Sequence, residues 1–251
     1  DEVTARVSWG TNFALMSDCD LIVEAAPEIM SLKQSIFEQL DANVKPTGIL
    51  ATNTSSLSVA SIAAVTHRPS HVIGMHFFNP APVQRLVEVI SHSGTDARVT
   101  ADVIALAKQL GKSPVSIGDQ PGFIVNKLLL VYLNHAVHIF DRGIAKETID
   151  AAMREFAKFP MGPLELIDLV GLDTCYEILL TIAADTKNED HQPAKSLVEL
   201  VEVGNKGRKS GKGFYAYDVK HDAPTSQDED GKKSVYDELM NQFSTTKKAL
   251  T

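Results

Sequence analysis

The chain has 251 residues, of which 44% are hydrophobic and 22% charged, and its formal net charge is -8 at pH 7. This composition excludes disordered and fibrous chains and is typical of a globular protein with one large or two modest domains. The acidic balance argues against a nucleic-acid partner, because binding phosphates needs clustered Lys and Arg.

Membrane and metal-site patterns are not found in the sequence. The longest apolar run, residues 123–140, contains polar residues such as Asn126 and Lys127, so no stretch reaches the roughly 18 apolar residues of a membrane span. Cys19 and Cys175 lie far apart and form no CxxC or Cys/His grouping. We therefore expect no membrane span, no disulfide framework and no metal site.

The first half of the chain alternates apolar runs with helical periodicity. In chain order these are DLIVEAA, a helical pattern from Ser31 to Ala42, GILATNT, LSVASIAAV and HVIGMHFF. This alternation predicts βα units, and strands that are apolar on both faces predict a buried parallel sheet. RLVEVI and SPVSI are two more strand-like runs, and a helix is predicted between them from Arg98 to Leu110.

After Asp119 the pattern becomes helical. A long amphipathic pattern begins at Pro121 and closes at Gly143, and helical patterns also cover residues 146–158 and 163–184. A short strand-like run, GFYAYD, follows near Gly213.

We therefore predict three parts. Residues 1–118 form an α/β domain, and residues 119–220 form an all-helical domain. Residues 221–251 are predicted to be a polar, mobile tail with at most a helical turn or two.

One titratable pair stands among apolar neighbours. Period-two alternation in LVEVI places Glu88 on a buried face, where an isolated ionised carboxylate is costly. His76, at the end of the preceding strand-like run, is a natural partner, because a carboxylate on one imidazole nitrogen raises the basicity of the other. These two residues alone fit a catalytic base and a structural ion pair equally well.

Polar side chains also collect where the predicted strands end. Glu28 follows the first strand, Asn53 and Ser55 follow the second, and Asn79 follows the third, close to His76. Open parallel sheets bind ligands at the carboxyl ends of their strands, which favours a functional site here. Turn and cap roles would also select some of these residues.

Six runs together resemble one enzyme family. They are VEAAPE, ATNTSSLS, GMHFFNPAPVQRLVEVI, GKSPVSIGDQPGFIVNKLL, FPMGPLELIDLVGLDT and GRKSGKGFYAY, and they cover most of residues 20–217. They look like those of the L-3-hydroxyacyl-CoA dehydrogenases, a family that includes 3-hydroxybutyryl-CoA dehydrogenase. The specific part is HFFNP, followed 12 positions after its histidine by Glu88 and later by PGFIVN.

The resemblance implies a Rossmann-type domain that binds NAD and a helical domain that forms a homodimer. It implies reversible hydride transfer between the C3 hydroxyl of an acyl-CoA and NAD, as in fatty-acid β-oxidation or butanoate metabolism. Residue by residue, His76 matches the base, Glu88 the carboxylate that orients it, Ser55 a hydroxyl that binds the substrate oxygen, and Asn126 an amide that positions the substrate.

The resemblance also implies cofactor contacts. Glu28, Lys33, Asn53, Ser55 and Asn79 match positions near the ribose and nicotinamide part of NAD.

The sequence departs from the family at its start. The family begins with a strand, a G-x-G-x-x-G turn and an acidic residue that binds the adenosine ribose, and none of these precedes residue 20. We expect that the chain was cut from a longer, normal enzyme, that it binds NAD poorly as given, and that its exposed sheet edge lowers its stability. A cytoplasmic or mitochondrial matrix location is implied by the family alone.

Three other interpretations stay open. One is a related NAD-dependent hydroxyacid enzyme that uses Lys127, although this side chain points about 100° away from Asn126 on a helix. Another is a non-enzymatic, crystallin-like or cofactor-incompetent member, which would not need to keep both His76 and Glu88. The third is the dehydrogenase segment of a multifunctional β-oxidation protein.

Overall fold

The computed structural model describes residues 4–217, 226 and 228–249, which divide into two compact units, Asp1–Phe123 and Ile124–Thr251. The first is α/β and the second is helical, as predicted. The boundary lies at Phe123 and not at Gly118, because the intervening residues are anchored on the first unit. The Asp119 carboxylate accepts hydrogen bonds from the N–H groups of Val59 and Ala60, and Phe123 is buried in the core of that unit.

Five strands form one sheet in the order β1-β2-β3-β4-β5. Their bounds are β1 Leu21–Glu24, β2 Ile49–Thr52, β3 Val72–Phe77, β4 Leu86–Ser91 and β5 Ser113–Gly118. β1, β2 and β3 run parallel, and β5 is parallel to β4, but β4 is antiparallel to β3. The parallel sheet predicted from the first apolar runs is thus formed by β1, β2 and β3, and β4, whose direction was not predicted, runs antiparallel to β3. The connection 78–85 is too short for the crossover that parallel strands need.

Three helices pack on this sheet: α1 Met30–Asn43, α2 Val59–Ala63 and α3 Ala97–Gln109. One apolar cluster joins Phe37 and Ile62 to Ile90 of β4, and a second cluster joins Val103 to Val89 of β4. Alternate residues of β4 thus enter different clusters, which is the period-two pattern expected of a strand buried on both faces.

Six helices are described in the second unit: α4 Val125–Asp141, α5 Lys146–Glu155, α6 Pro163–Val170, α7 Leu172–Thr186, α8 Lys195–Glu202 and α9 Glu229–Ala249. Short 3₁₀ turns lie at Thr4–Arg6, Phe13–Met16, Pro69–His71, Glu189–His191 and Arg208–Ser210. Along the described residues, no helix combines the length and the apolar character needed to cross a membrane.

Two predictions for this unit need correction. The single helix predicted over 163–184 is divided at Gly171, whose φ of 106° is incompatible with a continuous helix. The strand predicted at GFYAYD forms only isolated bridges, of which Lys212 with Ala216 is one. The N–H groups of Phe214 and Tyr215 donate instead to the Asp168 carboxylate.

The prediction of a mobile polar tail was wrong for residues 229–249, which form α9. Val235 and Leu239 are buried in the core of the unit, and α9 packs against α4 and α5. Val235 and Leu239 are four positions apart, which places them on one face of a helix, but the segment as a whole is polar. A prediction based on composition therefore missed the helix. Residues 221–225, 227, 250 and 251 of that prediction lie outside the described residues.

Asp150 of α5 fixes the start of α6. Its carboxylate accepts hydrogen bonds from the N–H groups of Leu164 and Glu165, at 2.8 and 3.2 Å, and from the Tyr215 hydroxyl at 2.8 Å. Burial raises the pKa of this carboxyl to about 7, although the hydrogen bonds oppose the shift. The folded chain therefore holds a proton at Asp150 that the unfolded chain releases near pH 4.

Replacing Asp150 by Asn removes this titration. We expect the free energy of unfolding of the wild type, taken relative to Asp150→Asn, to fall as the pH rises from about 4 to about 7, because only the folded state binds the extra proton there. Urea unfolding followed by circular dichroism at several pH values measures this difference. A difference that stays constant or rises over that interval would contradict the assignment.

Candidate active site

His76 and Glu88 form a buried pair across β3 and β4. The antiparallel register places the two residues directly opposite each other. Nδ1 of His76 lies 2.8 Å from Oε2 of Glu88, and the two residues are 8% and 1% exposed. Since Glu88 can only accept, Nδ1 is assigned the proton, and Nε2 carries the lone pair. The pair predicted from the sequence is thus in hydrogen-bond contact in the structure.

Two aromatic rings lie beside the imidazole. The ring of Phe78 is 4.6 Å from the His76 ring, and the ring of Phe123 is 6.0 Å away, measured between centroids. Both contacts lie within the first unit and reduce the access of water to the imidazole. Phe123 was not singled out from the sequence, although PGF follows the last strand directly.

Glu28 organises the loop after β2. Its Oε1 accepts hydrogen bonds from the Thr54 hydroxyl at 2.6 Å, from the N–H of Ser55 at 2.8 Å and from the N–H of Ser56 at 3.0 Å. Burial raises the pKa of Glu28, but the bonds from Thr54 and Ser55 and the charge of Lys33 outweigh it and hold the pKa below its ordinary value. An ionised Glu28 therefore fixes the loop that carries Ser55.

Lys33 is buried inside a cluster of acidic and carbonyl groups. Its Nζ donates to Oε1 and Oε2 of Glu24 at 2.8 and 3.1 Å and to the carbonyl of Ala26 at 3.1 Å, and it lies 3.5 Å from Oε2 of Glu28. The Thr52 hydroxyl donates to Glu24 at 2.7 Å. Glu24 and Thr52 were missed in the sequence, although each is the last residue of its strand.

The other residues predicted for the site, Asn53, Asn79 and Asn126, lie in different parts of the fold. Oδ1 of Asn53 accepts the N–H of Phe77 at 2.8 Å and so joins the ends of β2 and β3. Asn79 is exposed just after β3 and precedes a cis peptide bond to Pro80. Asn126 lies in the second unit, at the second position of α4.

The edge formed by the ends of β1, β2 and β3 fits a nucleotide cofactor. Open α/β sheets bind dinucleotides at this edge. Glu28, with 35% of its side chain exposed, supplies an acceptor for ribose hydroxyls, and the Ser55 hydroxyl and Asn79 amide supply groups that suit a carboxamide. Among the described residues, no group of three His, Cys, Asp or Glu is arranged to hold a metal ion.

Two family models match the chain. The model described as 3-hydroxyacyl-CoA dehydrogenase, NAD binding domain, covers residues 1–120, and that described as the C-terminal domain covers residues 122–217. The chain is 48% identical to a 3-hydroxybutyryl-CoA dehydrogenase of Clostridioides difficile, over 86% of this chain and 77% of that protein. It is 46% identical to the human mitochondrial hydroxyacyl-coenzyme A dehydrogenase, over 86% of this chain and 70% of the relative.

A solved structure agrees with these matches. The (S)-3-hydroxybutyryl-CoA dehydrogenase of Ralstonia eutropha superposes with a TM-score of 0.84 at 40% identity, over 86% of this chain and 77% of that one.

Replacing Lys33 by Met tests the buried charge cluster. We expect this change to lower the free energy of unfolding by about 3–5 kcal/mol, because it leaves the Glu24 carboxylate buried without its cation. Lys45→Met is the matched control, since Lys45 pairs with an exposed Asp20 and should cost less than about 1 kcal/mol. Urea unfolding of both variants at neutral pH decides the matter, and equal losses would contradict the buried-pair account.

Proposed function

We propose, because the chain belongs to the 3-hydroxyacyl-CoA dehydrogenase family, that it interconverts a (3S)-3-hydroxyacyl-CoA and a 3-ketoacyl-CoA with NAD. The observation that carries the proposal is the hydrogen bond of 2.8 Å between His76 and the buried Glu88. A purely structural ion pair would not need an imidazole whose second nitrogen keeps its lone pair at the carboxyl edge of the sheet.

In the oxidation direction, Nε2 of His76 takes the proton from the C3 hydroxyl of the substrate. The electron pair of that O–H bond forms the carbonyl as the C3–H bond gives up its hydride, for which NAD supplies the acceptor. Glu88 holds Nδ1–H and balances the charge of the imidazolium that forms. In the reverse direction the same imidazolium returns the proton to the oxygen.

Ser55 and Asn126 are proposed to bind the substrate. Their hydroxyl and amide can donate to a C3 oxygen that gains negative charge during reduction. Glu28 supports the proposal for Ser55, because its carboxylate fixes the backbone N–H of that residue. Asn126 is proposed from its place in the matched motif PGFIVN and from its chemistry.

Glu28, Lys33, Asn53 and Asn79 are proposed to serve the cofactor in different ways. Exposed groups of Glu28 and Asn79 suit direct contact with the ribose and carboxamide. Lys33 is 1% exposed, so we propose that it acts by holding Glu28 and the end of β1 in place. Asn53 is proposed to shape the edge through its bond to Phe77.

The relatives give the non-enzymatic alternative no support, since those described above are named as dehydrogenases. They come from bacteria and from a mitochondrion, which supports a proposed cytoplasmic or matrix location. The reaction belongs to fatty-acid oxidation, since the chain is also 42% identical to part of a fatty acid oxidation complex subunit.

Consumption of NADH with acetoacetyl-CoA tests the activity. We expect His76→Gln to lower kcat by roughly three orders of magnitude and Glu88→Gln to lower it less, because the second variant keeps the base but not its carboxylate. His67→Gln is the matched control, since the His67 side chain is exposed and lies outside the site. Binding of NADH by all three variants, followed by fluorescence, separates lost chemistry from lost folding. A His76→Gln variant as active as the wild type would reject the proposed base.

We also propose a homodimer through the helical unit. Leu133 and Val137, two of the apolar positions compatible with an interface, are buried in the core of the unit. Leu169 and Val170, at the end of α6, are 50% and 38% exposed and offer an apolar contact.

Sedimentation velocity tests the dimer. We expect a species of twice the chain mass, shifted toward monomer by Leu169→Lys, because a charge placed in an apolar contact opposes association. Val203→Lys is the control, since Val203 is 71% exposed at the end of α8. A monomer at micromolar concentration would contradict the proposal.

A further inference from the structure

The helical unit contains an apolar cavity of about 470 Å³. Its walls come from the first two turns of α4, from the segment between α5 and α6, from α6 and from α9. Leu128, Leu129 and Phe159 are among the lining side chains, and none of the lining residues is charged. The volume lies within the range of small-molecule sites, roughly 300–1,000 Å³.

Tyr132 brings a polar group to this cavity. Its side chain lines the wall and is 5% exposed, and its hydroxyl is buried without a hydrogen-bond partner among the described residues. Burial, aided by the nearby charge of Asp150, raises the pKa of this hydroxyl, so that it stays protonated and acts as a donor. A buried donor without an acceptor costs stability, so the cavity suits a ligand that carries an acceptor oxygen.

The cavity begins beside a residue that the proposed function assigns to the substrate. Asn126 precedes Leu129 by three positions, so the two side chains are neighbours on the surface of α4. Tyr132 lies six positions after Asn126, about 9 Å along the helix axis and about 120° around it, and Leu129 lies between the two. An acyl chain whose C3 oxygen is bound by Asn126 can therefore reach the cavity by passing over Leu129.

One wall of the cavity is formed by α9. Met240 and Phe243 line the cavity from α9, whereas the C-terminal family model ends at residue 217. α9 is fixed by its buried Leu239 and by the ion pair of Lys232 with Glu155.

We propose that this cavity binds the tail of the acyl-CoA substrate and that the Tyr132 hydroxyl donates to a neutral oxygen in that tail. The inference rests on the proposed function and deepens it. Medium-length 3-ketoacyl-CoAs with a keto or hydroxyl oxygen in the tail are the preferred substrates. A tail carboxylate is disfavoured, because the uncharged lining cannot balance its charge.

Tyr132→Phe tests the hydrogen bond. We compare kcat/KM for 3-ketodecanoyl-CoA with kcat/KM for analogues that carry a keto oxygen at successive tail carbons. The wild type should prefer one analogue by roughly tenfold or more, and Tyr132→Phe should abolish that preference. The variant should also have a higher Tm without ligand, because the unpaired donor is gone. A preference that survives in Tyr132→Phe, or is missing from the wild type, overturns the assignment.

Phe243→Trp tests the cavity itself. The larger ring fills part of the volume, so the ratio of kcat/KM for 3-ketodecanoyl-CoA to that for acetoacetyl-CoA should fall roughly tenfold. Leu180→Trp, at an exposed position of α7, should keep the wild-type ratio.

Three results separate the alternatives. An unchanged ratio in Phe243→Trp overturns the proposal. If the variant instead shifts the sedimentation coefficient at an unchanged ratio, the cavity is a surface for a second copy of the chain. If the wild type binds NADH but does not turn over acetoacetyl-CoA, the proposed function fails. Calorimetric binding of 3-ketodecanoyl-CoA must then be weakened by Phe243→Trp for the cavity assignment to stand.

Discussion

The antiparallel pairing of β3 with β4 is the constraint on which the proposed active site depends. It places Glu88 opposite His76 and removes the carboxylate from water almost completely. In that position an ionised carboxylate must have a partner, and the imidazole of His76 is a hydrogen-bonded one. The same contact thus stabilises the sheet and orients the imidazole that is proposed as the base.

A second group of charged residues, centred on the buried Lys33, fixes the loop after β2. Lys33 stands between Glu24 and Glu28, and Glu28 in turn binds the loop that carries Ser55. A hydroxyl proposed to bind substrate is useful on a loop only if the loop is fixed, and here charge-assisted hydrogen bonds help to fix it. The charges therefore position other groups, which explains why Lys33 itself is buried.

The sequence predicted the pair of His76 and Glu88, the α/β and helical units and the bounds of α1 and α3 to within one residue, because period and spacing report these directly. It could not predict that β4 runs antiparallel to β3. The direction of a strand depends on the path of the connection before it, and the apolar pattern of the strand does not report that path. Glu24 was missed because, in the sequence alone, a carboxylate at a strand end cannot be distinguished from a polar turn residue. Its contact with Lys33 becomes evident only in the structure. α9 was misjudged because its few apolar residues, Val235 and Leu239 among them, are diluted by polar ones.

The helical unit uses its buried polar groups in two opposite ways. The carboxylate of Asp150 accepts three hydrogen bonds and fixes the start of α6, so its cost of burial is partly offset within the fold. Tyr132 lies in the same unit, with its hydroxyl unpartnered beside an apolar cavity. Folding alone would favour phenylalanine at that position, since the ring would pack equally well without the unpaired donor. A hydroxyl that weakens the free protein is explained if it is satisfied by a bound molecule, and α4 carries both this hydroxyl and the amide proposed to hold the substrate.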